Sequence, residues 1–404
     1  MHVALSPAPS QGSHHLTPAF GGTSIPQNAP QRAPRRKRSG VVLAVLGAVI
    51  VCVACVGIQW SANLAYDDAL GSFEDAVAQA ASAQNQLEQS VDALAETASA
   101  ASTIAAADTG SLMDPTAKDV LAAALAEATG TGNSTAELVD ETLPKAGEKP
   151  FWAWELFGGT TELNAENAAV SAQRSEFESA RTDADDVAET VSEVSVSAVV
   201  SAAHAADAFE AAHVSARNLD ILTLRRIAAS LADVEALDSS VADGYEQLEA
   251  AAAAMLSSEQ AEIDEKYGAL FEARIAAEEF ARGLAPGVLL DFDWSPYVNG
   301  YGDGGGMGGL ATWWYGDPGY ATIELSNSVA DLWPSSRSQA LIAHEVGHAI
   351  SVKCEGMYDD SSSESIEAWA TAWAISQGFT DDANGTSAYG PPPQELVGVA
   401  AGCR

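Results

Sequence analysis

Bulky side chains are scarce in this 404-residue chain: only 7% of residues are aromatic although 47% are hydrophobic, and much of the difference is alanine. A single large core needs bigger side chains, so long, thin helices packed through alanine are expected instead. Positive charge is also scarce, with 19 Lys and Arg against 56 Asp and Glu. Five of the 19 lie within residues 1–60, which hold no acidic residue, so the chain beyond is more acidic than its net charge of −37 suggests. Such a field repels phosphate backbones and argues against a nucleic-acid partner. Its plain effect is solubility. Histidines number seven and cysteines four, so any metal site is drawn from few candidates.

Charge is absent from Ser39 to Tyr66, and Val41–Ile58 is an unbroken apolar run of 18, enough for one bilayer-spanning helix over residues 39–60. Trp60 would lie at the interface. The preceding cluster Arg32-Ala33-Pro34-Arg35-Arg36-Lys37-Arg38 places the N-terminus in the cytoplasm by the positive-inside rule, and everything after residue 60 outside. No A-x-A-like site follows the run, which favours a retained anchor over a cleaved signal. The expected location is therefore the cell membrane, single-pass, with the C-terminal domain extracytoplasmic. In that compartment Cys354 and Cys403 most simply form a disulfide, while Cys52 and Cys55 lie within the span.

The chain divides into four parts. Residues 1–38 lack apolar periodicity and read as a disordered cytoplasmic tail. Residues 61–283 read as helical, with one stripe through Leu70, Phe73, Val77, Ala80, Leu87, Val91 and Leu94. A second runs through Ile221, Leu224, Ile227, Leu231, Val234, Leu237, Val241, Tyr245 and Leu248. Neither Pro nor Gly occurs between Gly159 and Gly244, so long helices are expected, folded back as an elongated bundle or antiparallel coiled coil through which copies of the chain could also associate. His204 and His213 are nine residues apart, which does not put them on one helical face, and read as solvated or packed. The segment Pro150-Phe151-Trp152-Ala153-Trp154-Glu155-Leu156-Phe157 interrupts the pattern; it reads as an apolar plug closing the tip or base of the helices, with membrane or partner contact as the alternative. Composition shifts at Gly283-Leu284-Ala285-Pro286-Gly287, and residues 284–404 read as a small α+β domain. Its Gly300–Gly309 stretch reads as a flexible loop.

The chemistry is concentrated in His344-Glu345-Val346-Gly347-His348. Histidines four apart on a helix lie on one face, one turn apart, and supply two of the three protein ligands of a catalytic zinc ion. Glu345, beside the first ligand, is placed to act as general base on the attacking water. Pro334-Ser335-Ser336 offers the helix its start. The segment AHEVGHAI resembles the active-site helix of the zincin metallopeptidases, and the likeness covers residues from about 285 onward. It implies peptide or protein substrates, and an edge strand just before the helix along which the substrate lies. Ala321-Thr322-Ile323-Glu324-Leu325-Ser326 alternates suitably for that strand.

The third ligand decides the subfamily. No histidine follows His348 and no methionine follows Met357, and Ser351 and Cys354 stand where metzincins have Gly and His. The gluzincin pattern instead takes a Glu from a second helix about twenty residues on. Ser361–Ala374 is such a helix, ended by Gly378. Ser361-x-x-Glu364 has capping-box spacing, which leaves Glu367 as the expected ligand, with Glu364, Asp360 and a Cys354 thiolate as competitors. One departure stands out: Thr371 occupies the position where thermolysin-like enzymes carry a supporting Asp. Oxyanion donors are to be sought among Tyr320, Tyr358, Tyr389, Arg337, Lys353 and Arg404. Two readings follow: a zinc-dependent peptidase with zinc on His344, His348 and Glu367, or a helical surface interaction or sensor protein carrying a non-catalytic zincin-like module.

Overall fold

The computed structural model describes residues 39–304, 306–316 and 319–404; the expected cytoplasmic tail, residues 1–38, lies outside them. The molecule is mainly helical, with a small strand region near the C-terminus. Six helices come first: α1 (Ser39–Ala107), α2 (Pro115–Val139), α3 (Ala153–Ala212), α4 (Asn218–Leu231), α5 (Ser239–Lys266) and α6 (Phe271–Leu284). Five strands follow: β1 (Leu289–Ser295), β2 (Tyr297–Val298), β3 (Tyr301–Gly302), β4 (Gly309–Trp314) and β5 (Tyr320–Ser326). The chain closes with α7 (Asn327–Asp331), α8 (Ser336–Ala349), α9 (Ser363–Ser376), α10 (Thr386–Tyr389) and α11 (Gln394–Ala400).

The two longest helices pack along each other. In α1, Tyr66, Phe73, Ala80, Leu87, Leu94 and Ala101 are buried; in α3, Leu156, Leu163, Val170, Phe177, Ala184, Val191 and Ala198 are. Both sets recur every seven residues. The pair is parallel, which corrects the antiparallel expectation: on α3, Ala153 bonds Gln59 and Arg174 bonds Gln79, so partners ascend together, whereas Lys149, before α3, pairs with Asp67 from the descending segment. Parallel helices need a return path. Helix α2 supplies half of it, capped by Asp114 at Pro115, and the non-helical chain from Asp140 to Trp152 supplies the rest. Those 13 residues reach at most about 45 Å. Between Gln84, which binds the carbonyls of Val139 and Glu141, and Gln59 at the bottom, α1 rises about 37 Å, so the segment fits only when nearly extended.

The second apolar stripe is split between α4 and α5, because Asp238 caps a new helix at Ser239 by accepting from the Val241 N–H. Ile221, Leu224 and Leu231 on α4, and Val241, Tyr245 and Leu248 on α5, still share one core with the far ends of α1 and α3. His204 is exposed, and His213 bonds Glu259 at 2.6 Å.

The C-terminal module begins before the composition break at 284, since Ala277 and Ala281 of α6 lie in the same core as the sheet. Arg217 joins α5 to β1 through Glu262 and Asp293, and the buried Lys266 bridges Glu262 and Glu278. The sheet order is β1-β5-β4, with β1 parallel and β4 antiparallel to β5. Strand β5 contains residues 321–326 and is paired on both sides, so it has no free edge for a peptide. This corrects the expected substrate strand: beside α8, the edge left unpaired among the described residues belongs to β4. The glycine-rich stretch is also more than a loop, since it contributes to β3 and opens β4.

Candidate metal centre

Ser335 caps α8 as expected, accepting from the Ser338 N–H at 3.2 Å. The helix is buried along most of its length, and Gly347 lies where α9 crosses it. A Cβ there would meet the Ala370 carbonyl oxygen at 2.7 Å, so only glycine permits this approach. Trp369 donates its indole N–H to the Gly347 carbonyl at 3.1 Å and locks the crossing. Helix α9 ends at Gly378, which takes φ +98° while the Gly378 and Phe379 N–H groups return to Ile375 and Ala374.

The crossing brings Glu367 onto the histidine pair. Its Oε2 lies 3.1 Å from His344 Nε2 and 3.3 Å from His348 Nε2, and the two ring nitrogens are 3.3 Å apart. A tetrahedrally bound ion with bonds of about 2.0–2.1 Å separates its ligand atoms by about 3.3–3.4 Å, so these three residues could hold a metal ion. The competitors stand elsewhere. Glu364 is exposed in the first turn of α9, and the cap there is Ser362 accepting from Ser365, which shifts the expected capping box by one residue. Asp360 is exposed, and Cys354 sits at disulfide distance from Cys403, with Cα atoms 5.9 Å apart.

Burial pushes the Glu367 carboxyl up, but bonds to both imidazoles outweigh it and hold the group down to about 2. Glu345 is the opposite case. Burial and the Glu367 charge raise it to about 7, against the opposing pull of His344 and the Ala311 N–H. A carboxyl titrating near neutrality is suited to accepting and returning a proton. It is packed against the start of β4, where a Cβ on Gly309 would lie 2.3 Å from Oε1.

The surroundings orient the two imidazoles differently. The Asn384 backbone lies against the His344 imidazole, and the buried Thr371 Oγ1 lies 3.4 Å from its Nδ1. A proton held there leaves the Nε2 lone pair facing Glu367 and His348. Thr371 thus stands beside His344. Gly385, at φ +99°, is needed doubly: a Cβ would meet Thr371 Oγ1 at 2.3 Å and His344 Nδ1 at 2.7 Å. His348 instead stacks on Trp313 of β4, with centroids 5.4 Å apart, and its buried Nδ1 has no partner among the described residues. Gly309, Trp313, Asn384 and Gly385 were not singled out from the sequence, although Asn384-Gly385 is a turn signal.

Of the oxyanion candidates, only Tyr389 reaches the centre. Its ring stacks on His344 at 6.0 Å, and burial together with the Glu367 and Glu345 charges raises its hydroxyl. Tyr358 stacks on Trp369 and bonds Tyr315, and Tyr320 stacks on Trp314. Arg337 pairs with Asp381 and Asp382, Lys353 binds the Pro286 carbonyl, and Arg404 binds Gln377. No protein-family model, curated protein or solved structure matches this chain.

Proposed function

We propose that this chain is a membrane-anchored zinc metallopeptidase of the zincin type, with a carboxylate third ligand and an extracytoplasmic active site. The observation that carries the reading is the convergence of His344, His348 and Glu367 at 3.1–3.3 Å, with Glu345 buried against the outer strand β4. Two imidazoles and one carboxylate are a donor set suited to zinc, which when bound would supply Lewis acidity to the scissile carbonyl and the attacking water. Glu345 takes the water's proton and returns it to the departing amine. The peptide lies along β4 as an added strand, and Tyr389 donates to the developing oxyanion.

The exposed apolar stretch of α1, long enough to cross a membrane, is read as the anchor. The basic cluster before it keeps the N-terminus in the cytoplasm. The seven-residue period of α1 and α3 reads as a parallel coiled-coil stalk. Residues 61–107 of α1 rise roughly 70 Å, which sets the catalytic module well off the bilayer.

Metal analysis of the full-length chain purified in detergent should find about one zinc per molecule, and Glu345→Gln should abolish peptide hydrolysis while keeping the metal. Tyr389→Phe should lower kcat about 100-fold with zinc retained. A zinc-free folded chain, or hydrolysis unchanged in Glu345→Gln, overturns the reading in favour of a non-catalytic interaction or sensor protein.

A further inference from the structure

The apolar plug expected over residues 150–157 is mostly not inside the molecule. Leu156 alone is fully buried, packed with Tyr66 and Phe73, whereas Phe151 is 76% exposed, Trp152 50%, Trp154 68% and Phe157 46%. Trp152 and Trp154 stack on each other with centroids 5.2 Å apart, and Phe151 meets Trp152 edge-on. Four large rings thus share one outward surface at the start of α3.

Their height along the molecule is fixed by Gln59. Its side-chain amide donates to the Phe151 carbonyl at 2.8 Å and accepts from the Ala153 N–H at 2.9 Å, so it ties the α3 N-terminus to this level of α1. One residue on, Trp60 is 68% exposed, and it closes the uncovered apolar stretch of α1 that begins by Leu43. Charge resumes above this level, at Asp67 and Asp68, and Asp67 pairs with Lys149 at 2.6 Å. Five exposed rings therefore lie level with the boundary between an uncharged apolar helix and its charged continuation. Trp at such a boundary is characteristic of the membrane–water interface, where an apolar ring body and a polar N–H are both accommodated.

We infer that Phe151, Trp152, Trp154 and Phe157 form a second membrane contact, seated with Trp60 in the headgroup–acyl boundary of the outer leaflet. The inference rests on the reading of α1 as a membrane span. Lipid is favoured over a protein partner because the same level of the molecule already requires it: no described residue covers the side chains of residues 43–58. Glu148, Lys149 and Glu155 beside the rings hold the segment at headgroup depth and prevent deeper insertion. Two attachment points on one rigid helix pair would fix the tilt of the stalk, which a single helix does not.

The test is photolabelling of the full-length protein in phosphatidylcholine vesicles that carry a diazirine at the headgroup–acyl boundary, with labelled peptides identified by mass spectrometry. Label is expected on peptides covering residues 43–60 and 150–158, with at least about fivefold less on the exposed distal residues Tyr297, Tyr301 and Leu332. Label on 43–60 without label on 150–158 overturns the inference and leaves the span intact. Absence of label from both overturns the span reading itself. Protection of 150–158 from lipid by cross-links to a second copy of the chain also overturns it, and assigns the rings to self-association.

Discussion

Gly309→Ala isolates the contact between β4 and the general base. The backbone at Gly309 is one that any residue can adopt, yet the added Cβ would lie 2.3 Å from Glu345 Oε1 and 2.7 Å from its Cγ and Cδ. Non-bonded contacts to carbon relax at about 3.3 Å or more, so the carboxylate must withdraw by about 1 Å. Glu345 is buried and flanked by His344 and Ala311, so it has little room to recover. A misplacement of that size costs about 100-fold in rate, whereas the three metal ligands are untouched. Steady-state cleavage of a quenched fluorescent peptide should therefore show kcat about 100-fold lower, with KM changed little and zinc content unchanged. Activity within about threefold of the parent would refute the argument. So would a loss larger than that of Glu345→Gln, because the alanine acts only through Glu345.

Other perturbations test neighbouring parts of the argument. Glu367→Gln should lower zinc affinity at least 100-fold in chelator competition, while Glu364→Gln, at an exposed position, should leave it unchanged. Replacing Cys354 and Cys403 by Ser opens a link spanning 49 residues, and chain entropy sets the expected loss at about 4 kcal/mol, read by urea denaturation; a parent indifferent to reductant would sink this expectation. Burial raises Asp291 to about 6 despite the Asn218 N–H and Arg217 beside it. Because the folded-state value lies above the unfolded one, its contribution is full below about pH 4 and is lost as pH rises through 6. Asp291→Asn removes that slope, so its stability relative to the parent should climb by up to about 3 kcal/mol between pH 4 and 7. A pH-independent difference would contradict the assignment.

Local rules served well where one side chain meets one backbone group. The Ser335 cap and the Gly378 stop needed only neighbours a few residues away, and both were legible. Glu367 is preferred to Glu364 in the sequence because capping-box spacing assigns Glu364 to the helix start; the cap itself falls one residue later, at Ser362, but Glu364 is still in the exposed first turn. Pairing directions were not legible. A stripe of apolar residues says that a helix has a partner without saying which way the partner runs, and in α1 and α3 the direction is set by thirteen residues of extended return chain that have no periodicity. The substrate strand failed for a related reason. Alternation in residues 321–326 marks a strand with two different faces, but whether that strand is central or at an edge depends on β1, which pairs with it across about thirty residues.

The support of His344 brings out a further limit on reading a site from side chains alone. By the resemblance drawn from the sequence, Thr371 stands where a supporting Asp is expected, and a neutral hydroxyl is a poorer partner for an imidazole N–H than a carboxylate. The structure adds the backbone of Asn384 to the surroundings of the same imidazole. A backbone group adds no negative charge, and among the described residues the site contains two carboxylates, Glu345 and Glu367. A third buried charge would raise Glu345 above neutrality, since Glu367 already contributes to its elevation. Bringing the Asn384 backbone there requires a turn passing within contact of His344, and the turn requires Gly385 at φ +99° with no Cβ. Thr371, Asn384 and Gly385 therefore act as one unit, and introducing Asp at position 371 alone should not improve the centre: it would have to displace the turn that already orients the histidine.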